Sequence, residues 1–238
     1  MLVVPKTGGN RVSGSVFFSG TNESLQSDNF TDEMRAAGLA AATPYTKIYD
    51  LNGAVGGPIK QDRIWFFVNG RTQGGERTNA NQWFNNNAGD ATKWLYAKDE
   101  SRPGFSDRTW ENLSGRITWQ ANSKNKISGF WDEQATCRSC EGQTSGITDP
   151  ARVSPEAGSV GATKPLRVMQ ASWNSPMTNR LLLDAGFGGV YYGWGSFERD
   201  PNPTRDLTRV MEQCPAGCAA NGGLPQLVYR SQNFNVNN

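Results

Sequence analysis

The chain contains no histidine, and this absence removes several kinds of chemistry at once. Ser-His-Asp and Cys-His nucleophilic sites use an imidazole as their base, so neither can be built here. No run of about 18 apolar residues occurs, which excludes a transmembrane helix. The formal net charge is only +2, so there is no sign of the basic stripe typical of nucleic-acid binding. We therefore expect no nucleic-acid partner.

Other catalytic signals are weak. The stretch 56–60, Gly-Gly-Pro-Ile-Lys, lacks the spacing of a P-loop. The acid pairs Asp99 with Glu100 and Asp132 with Glu133 are typical of solvated charges and not of a glycosidase, which needs two carboxylates at a set separation. The sequence predicts no enzyme, no catalytic residue and no cofactor.

What the chain does contain is a repeated alternation of apolar and polar residues, which is typical of β-strands with one face in each environment. The clearest segment is 112–120, and the short polar turn 121–125 connects it to a similar segment that starts at Lys126. Two further hairpins join 49–57 to 63–71 and 166–174 to 180–192, through the turns 58–62 and 175–179. The pattern predicts an all-β chain of antiparallel hairpins.

The connections between these hairpins are long: 72–111, 135–165 and the stretch after Gly193. Short turns that alternate with long loops, and strands of roughly 9 to 11 residues, are typical of outer-membrane β-barrels. Aromatic residues near strand ends suit the interfacial girdles of such a barrel, namely Phe18, Trp119, Trp131, Trp173 and Tyr191. We expect an up-and-down transmembrane β-barrel segment of about seven or eight strands with long extracellular loops.

Two segments resemble a known family. Residues 51–67, Leu-Asn-Gly-Ala-Val-Gly-Gly-Pro-Ile-Lys-Gln-Asp-Arg-Ile-Trp-Phe-Phe, resemble the "GGPIKKDK-FFF" hairpin near the start of the barrel in TonB-dependent receptors, above all in their Oar-like branch, whose members carry a carboxypeptidase-regulatory-like domain. Residues 3–14, Val-Val-Pro-Lys-Thr-Gly-Gly-Asn-Arg-Val-Ser-Gly, are similar to the "VVTKSGTN-FHG" junction between the last plug strand and the first barrel strand. The two motifs occur in the order that the family has.

The resemblance implies that 1–10 end a plug and that 11–238 form part of a barrel, which in such transporters has about 22 strands. It implies energy-coupled uptake of an extracellular ligand, which the sequence does not identify, in the outer membrane of a Gram-negative type bacterium. The implied partners are outer-membrane lipid, the rest of the chain's own barrel and plug, and a TonB-type energy-coupling protein that acts through the plug. We accordingly expect a fragment of a longer protein.

Glycines and aromatic residues in these motifs carry specific expectations. Gly53, Gly56 and Gly57 are expected where the barrel wall bends or another backbone comes close, and Gly8 and Gly9 where a sharp exit of the chain needs unusual φ angles. In the strand that follows the hairpin, Ile64, Phe66 and Val68 are expected to face lipid, while Trp65 and Phe67 face inward onto a plug.

Several candidate residues fall in the predicted loops. Trp83, Trp94 and Trp110 are candidate ligand contacts, and they fit a second hypothesis equally well: a secreted, soluble β-sandwich that binds carbohydrate. The stretch 31–42 could form a short helix capped by Thr31, with acidic residues in its first turn.

The four cysteines form a C-x-x-C pair, Cys137 with Cys140, and a C-x-x-x-C pair, Cys214 with Cys218. Four thiolates at such spacings could bind zinc in a reducing compartment. The loops of an exported protein meet an oxidising environment instead, so we predict a local disulfide within each pair. Cross-pairing between the loops and a metal site are the alternatives.

Overall fold

The computed structural model describes residues 6–39, 42–139, 152–198, 204–213 and 227–231. Seven strands form one antiparallel sheet in which the spatial order equals the chain order. They are β1 (Ser13–Asn22), β2 (Tyr45–Lys60), β3 (Ile64–Asn85), β4 (Lys98–Gln120), β5 (Lys126–Arg138), β6 (Val160–Thr178) and β7 (Leu181–Phe197). The predicted all-β, up-and-down arrangement is confirmed at this level. In the described part of the chain the sheet stays open, because β1 and β7 each pair on one side only.

The remaining elements are small. Two short strands, β8 (Val210–Met211) and β9 (Val228–Tyr229), pair antiparallel, and two 3₁₀ turns lie at Glu23–Leu25 and Pro155–Ala157. The one α-helix of the described residues is α1 (Asp32–Ala36), and none of their helices is long and apolar enough to cross a membrane.

Helix α1 begins as predicted but ends early. The Thr31 hydroxyl accepts a hydrogen bond from the Met34 amide at 3.3 Å, so this cap is confirmed. The helix ends at Ala36 and not at residue 42, because Gly38 adopts a left-handed φ of 96° just beyond it. A left-handed glycine in this position is a common helix terminator.

All three predicted hairpins are present, with shorter turns than expected. The turn 121–125 has the predicted bounds, whereas the other two shrink to 61–63 and 179–180. Pro58 was wrongly predicted to begin a turn, since it pairs with Trp65 inside β2. Because β1 pairs with β2 only as far as Gly56, Pro58 lies where β2 has a single neighbour, a position at which a strand tolerates proline. We call the edge with these turns the turn end and the opposite edge the loop end.

The predicted loop 72–111 is wrong. Strands β3 and β4 have 22 and 23 residues and leave only 86–97 as the connection. At about 3.4 Å per residue each strand is about 75 Å long, far beyond an ordinary strand. The predicted loop 135–165 also shortens, because β5 continues to Arg138 and β6 begins at Val160, and β7 runs past Gly193 to Phe197. The alternation of short turns and longer connections nevertheless remains.

The two faces of the sheet have opposite chemistry, and burial is inverted relative to a water-soluble sheet. In β4, Ser114 and Thr118 are 6% and 3% exposed, while Leu113 and Ile117 are 61% and 55% exposed. Strand β5 repeats the pattern, with Ser128 buried and its neighbours exposed. The buried hydrophobic side chains of the described residues lie outside this sheet: Val153, Ala157, Leu227, Val228 and Tyr229.

The register aligns the exposed apolar residues into rows that run across the strands. One row contains Phe66, Ile117, Gly129, Ala171 and Phe187, and the next towards the turn end contains Ile64, Trp119, Ile127, Trp173 and Ala185. We call this surface the apolar face. As expected from the sequence, Ile64, Phe66 and Val68 belong to it.

Charged residues limit the apolar face on the side of the loop end. Glu133 and Arg167, which lie opposite each other, form an ion pair at 2.6 Å. Counted along β4 from Trp119 to Leu113, the apolar band spans about 20 Å. Trp119 and Trp173 lie in its turn-end row, and Tyr191 lies in the row of the ion pair. Aromatic residues therefore lie at both limits of the band.

Candidate functional site

The opposite, polar face carries a chain of hydrogen bonds across β3, β4 and β5. The Ser114 hydroxyl donates to Asn69 Oδ1, and the Asn69 amide donates to Asn112 Oδ1 at 3.2 Å. The Asn112 and Gln134 amides both donate to the Asp132 carboxylate, each at 2.6 Å. These bonds fix the side chains in one arrangement, as is typical of a pre-organised polar surface.

The hydrogen-bonded side chains line a groove of about 520 Å³, which we call the inner groove. Its wall also includes Lys6, Phe67, Arg71 and Trp110. The Arg71 guanidinium binds the Asp50 carboxylate through two bonds of 2.9 and 2.6 Å, so this arginine already has an anionic partner.

A second groove of about 960 Å³ continues from the first towards the loop end, and Gln73 and Trp110 line both. We call it the arginine groove, because Arg77, Arg108 and Arg138 line it. Arg108 lies directly opposite Arg138 across β4 and β5, and Arg77 lies opposite Ser106, two residues before Arg108 in β4. Among the described residues, the side chains of these three arginines form no ion pair or hydrogen bond. Three positive charges thus share one groove.

The segment 6–12 passes over the turn end of the sheet, next to the hairpin of β2 and β3. Asn10 Oδ1 accepts hydrogen bonds from the Asp62 amide at 3.0 Å and from Trp65 Nε1 at 2.7 Å. Asp62 has a left-handed φ of 59° in the turn, and the Asn10 side chain satisfies its amide. Trp65 lies on the face opposite to Ile64 and Phe66, as predicted, and contacts this segment, while its inward position in a barrel stays a prediction.

Close packing explains most of the glycines in these motifs. A Cβ on Gly56 would lie 2.8 Å from Phe67 Cδ2, and a Cβ on Gly57 would lie 2.8 Å from Val12 Cγ2. At Gly53 a Cβ would meet nothing within 4 Å, so close approach of another backbone does not explain this glycine. Gly8 is needed because a Cβ would overlap the Phe66 carbonyl oxygen.

The second glycine prediction gave the wrong physical reason. Gly8 and Gly9 have no positive φ, so the chain does not use the conformational freedom that was expected of them. The path of the segment across the hairpin, and not a sharp bend, excludes a side chain at Gly8.

At the loop end, four separate stretches pack into what we call the cap: 86–97, 152–159, 204–213 and 227–231. Arg230, which is 5% exposed, holds it together. Its guanidinium donates to the carbonyl oxygens of Ala91 at 2.7 Å and of Lys93 and Thr208 at 3.2 Å each, and it stacks 3.9 Å from the Trp94 ring. Buried carbonyls and an aromatic face together compensate this charge.

The cap also contains a small apolar core of Val153, Ala157 and Val228. Beside it, the Tyr96 and Tyr229 rings lie 5.8 Å apart. Burial, with a smaller contribution from the Glu156 carboxylate, raises the pKa of Tyr96 to about 12. The cap connects to β3 through the Gln82 amide, which donates to the Val153 carbonyl at 2.6 Å.

The three candidate tryptophans separate in the structure. Trp83 lies in β3 and not in a loop, with Lys98 Nζ 3.7 Å from its ring centroid. Trp94 lies in the cap under Arg230. Trp110 lies in β4 and is 41% exposed, and it alone of the three lines the two grooves. The prediction of loop positions holds for Trp94 only.

Cys137 is disulfide-bonded in β5. The other three cysteines, Cys140, Cys214 and Cys218, lie outside the described residues, so the predicted pairing stays a prediction. Within the described ranges, no group of three or more Cys, Asp or Glu side chains is placed to hold a metal ion.

Sequence reasoning missed the arginine groove because it treated 72–111 as a loop. Arg108, Trp110 and Asn112 alternate in β4 and line the grooves together. The alternation of 112–120 continues backwards through these residues and places them on one face. Because the residues on both faces are mostly polar there, the alternation gives no hydropathy signal.

Comparisons with protein-family models, with curated proteins and with solved structures find no match to this chain.

Proposed function

We propose that this chain forms part of an outer-membrane receptor of the TonB-dependent type, which takes up an extracellular ligand in an energy-coupled way. One observation carries the proposal: the seven-stranded sheet buries polar side chains and exposes large apolar ones. In water, a continuous apolar surface of this extent is unfavourable, whereas in lipid it is the stable arrangement. Transmembrane barrels alternate in this way, with apolar residues outward and polar residues inward.

The dimensions of the apolar face support the same conclusion. The band along β4 spans about 20 Å, comparable with the roughly 25 Å apolar band of outer-membrane barrels. Tryptophans at the turn-end limit, Trp119 and Trp173, and the Glu133–Arg167 pair near the other limit match the change from hydrocarbon to headgroups. Beyond this limit β3 and β4 continue for more than 10 Å, which would extend them above the membrane.

The segment 6–12 supports the family within this class. It lies across the hairpin of β2 and β3, and Asn10 joins it to Asp62 and Trp65. The two motifs that resemble TonB-dependent receptors are therefore in direct contact, as a plug exit and the first barrel hairpin would be. The unpaired edges of β1 and β7 would then receive the remaining barrel strands, since open edges are unfavourable in lipid. The energy-coupling protein would act on the plug.

The second hypothesis, a soluble β-sandwich that binds carbohydrate, needs another sheet packed on one face of the first. Apart from the seven-stranded sheet, the described residues contain only the two-residue pair of β8 and β9, which belongs to the cap. We therefore favour the receptor.

Selective labelling of lysines in living cells tests the proposal. Lys93 lies in the cap at the loop end with its side chain 55% exposed, and Lys124 lies in the turn 121–125 at the other end. An amine reagent that cannot cross the outer membrane should label Lys93 in intact cells, and Lys124 only after the outer membrane is permeabilised. Equal labelling of both lysines in intact cells would contradict a transmembrane sheet.

A further inference from the structure

We propose that the arginine groove binds an anionic ligand that carries at least two carboxylate, sulfate or phosphate groups. The proposal names the ligand class of the receptor and rests on the proposed function for its biological meaning, although the binding itself can be tested separately. Arg77, Arg108 and Arg138 would hold the anionic groups.

Without a ligand, the three arginines of the groove repel one another. Arg108 and Arg138 are direct cross-strand neighbours, and like charges in this relation destabilise a sheet. Arg77 lies one diagonal step away across β3 and β4. Three arginines without a partner among the described residues are unfavourable for the apoprotein and favourable for a bound anion.

The acidic residues of the groove do not neutralise these arginines. Asp50 is bound by two nitrogens of the Arg71 guanidinium. Asp107, the other acidic lining residue, comes directly before Arg108 in β4, so strand alternation places its side chain on the other face of the sheet. The positive charge of the three arginines is therefore left for an external group.

The groove also has the size and lining that such a ligand needs. Gly75 lies opposite Arg108 in β3, so β3 places no side chain directly beside Arg108. The volume of about 960 Å³ lies at the upper end of the range for small-molecule sites, so it accepts an oligomer of two or three units. Trp110 at one end and Tyr45 near the other offer aromatic faces for a ring that carries the anionic groups. The arginine fork matches the planar, two-oxygen geometry of carboxylates and of phosphate-like groups.

Calorimetric titration of the full-length protein in a non-ionic detergent tests the inference. The probes are trigalacturonate, a disulfated disaccharide and inorganic tripolyphosphate, with maltotriose as the neutral control. We expect at least one anionic probe to bind and maltotriose not to bind, and the preferred probe identifies the anionic group. Arg108→Gln and Arg138→Gln should each weaken that binding about tenfold, the loss expected for one charge-assisted contact.

Arg180→Gln is the matched control, because it removes the same charge at the turn end of the sheet and should leave the affinity unchanged. A second readout separates binding from damage to the fold. Without ligand, Arg108→Gln should unfold at the same temperature as the unchanged protein or higher, because it relieves the repulsion with Arg138.

Absence of binding by all three anionic probes would overturn the inference, as would binding that both groove variants leave intact. Either failure concerns the groove alone, because membrane insertion is measured independently by the lysine labelling.

Discussion

Replacing Ile117 with arginine puts a charge in the middle of the apolar face, and its cost depends on whether lipid or water covers that face. Ile117 lies on β4 between Phe66 of β3 and Gly129 of β5 and is 55% exposed. If water covered the face, a substitution at such an exposed site would change the free energy of unfolding by about 0.5 kcal/mol or less. In lipid, an arginine near the bilayer midplane costs about 2–4 kcal/mol.

The control is Thr72→Arg on β3. Thr72 lies on the same face but opposite Glu111, beyond the limit of the apolar band. There the new arginine would reach headgroups and a carboxylate, so we expect a change of about 0.5 kcal/mol or less. The two variants add the same side chain to the same face of the sheet, at different depths relative to the apolar band.

The assay is guanidinium unfolding of the full-length protein in phosphatidylcholine vesicles, followed by tryptophan fluorescence. The account predicts that Ile117→Arg lowers the free energy of unfolding by about 2–4 kcal/mol and that Thr72→Arg leaves it nearly unchanged. A cost below about 0.5 kcal/mol for Ile117→Arg, or equal costs for the two variants, would refute the lipid-facing assignment.

Three further predictions concern the junction and the cap. Gly56→Val should destabilise the protein by about 1–3 kcal/mol through overpacking, whereas Gly53→Val, which meets nothing, should be nearly neutral; equal unfolding free energies would contradict the packing argument. Asn10→Ala should speed hydrogen exchange of the Asp62 amide about tenfold, and an unchanged rate would mean that the contact adds no protection. Because folding raises the pKa of Tyr96, its contribution to the stability of the cap is fully present below pH about 10 and is lost as the pH rises towards 12. The Trp fluorescence of the protein should therefore change between these pH values, and Tyr96→Phe should reduce that change. An identical pH profile for the variant would refute this prediction.

The hairpins near the turn end could be predicted from the sequence because the two faces of each strand differ from each other in hydropathy there. The segment 112–120 has apolar residues at every second position, and the structure places them on one face of β4. The turn 121–125 is rich in turn-forming residues and joins the strands as expected. Local chemistry alone determines these features.

Beyond the apolar band, local chemistry gives no such signal. In β3 after Thr72 and in β4 before Glu111, both faces are polar, so the two-residue period of hydropathy disappears although the strands continue. Long-range pairing, not propensity, maintains the extended conformation there. This is why a predicted loop is in fact two strands.

The residues of the candidate site were only partly predictable, because they lie in the part of the strands that has no hydropathy period. Trp110 was predicted in a loop, whereas it lies in β4 and lines both grooves, and its role as a ligand contact stays a prediction. The cap depends on contacts such as that of Arg230 with Ala91, two residues far apart in the chain. The arginine groove depends on the register that sets Arg108 opposite Arg138. Neither relation can be read from composition or spacing.

The most direct test of the central claim is fractionation of native cells, with mass spectrometry of the fraction that yields peptides from 113–134. The account predicts recovery in the outer-membrane fraction, released only by detergent. Recovery as a soluble species of about 26 kDa, the mass of this chain, would contradict it and favour the soluble binding module.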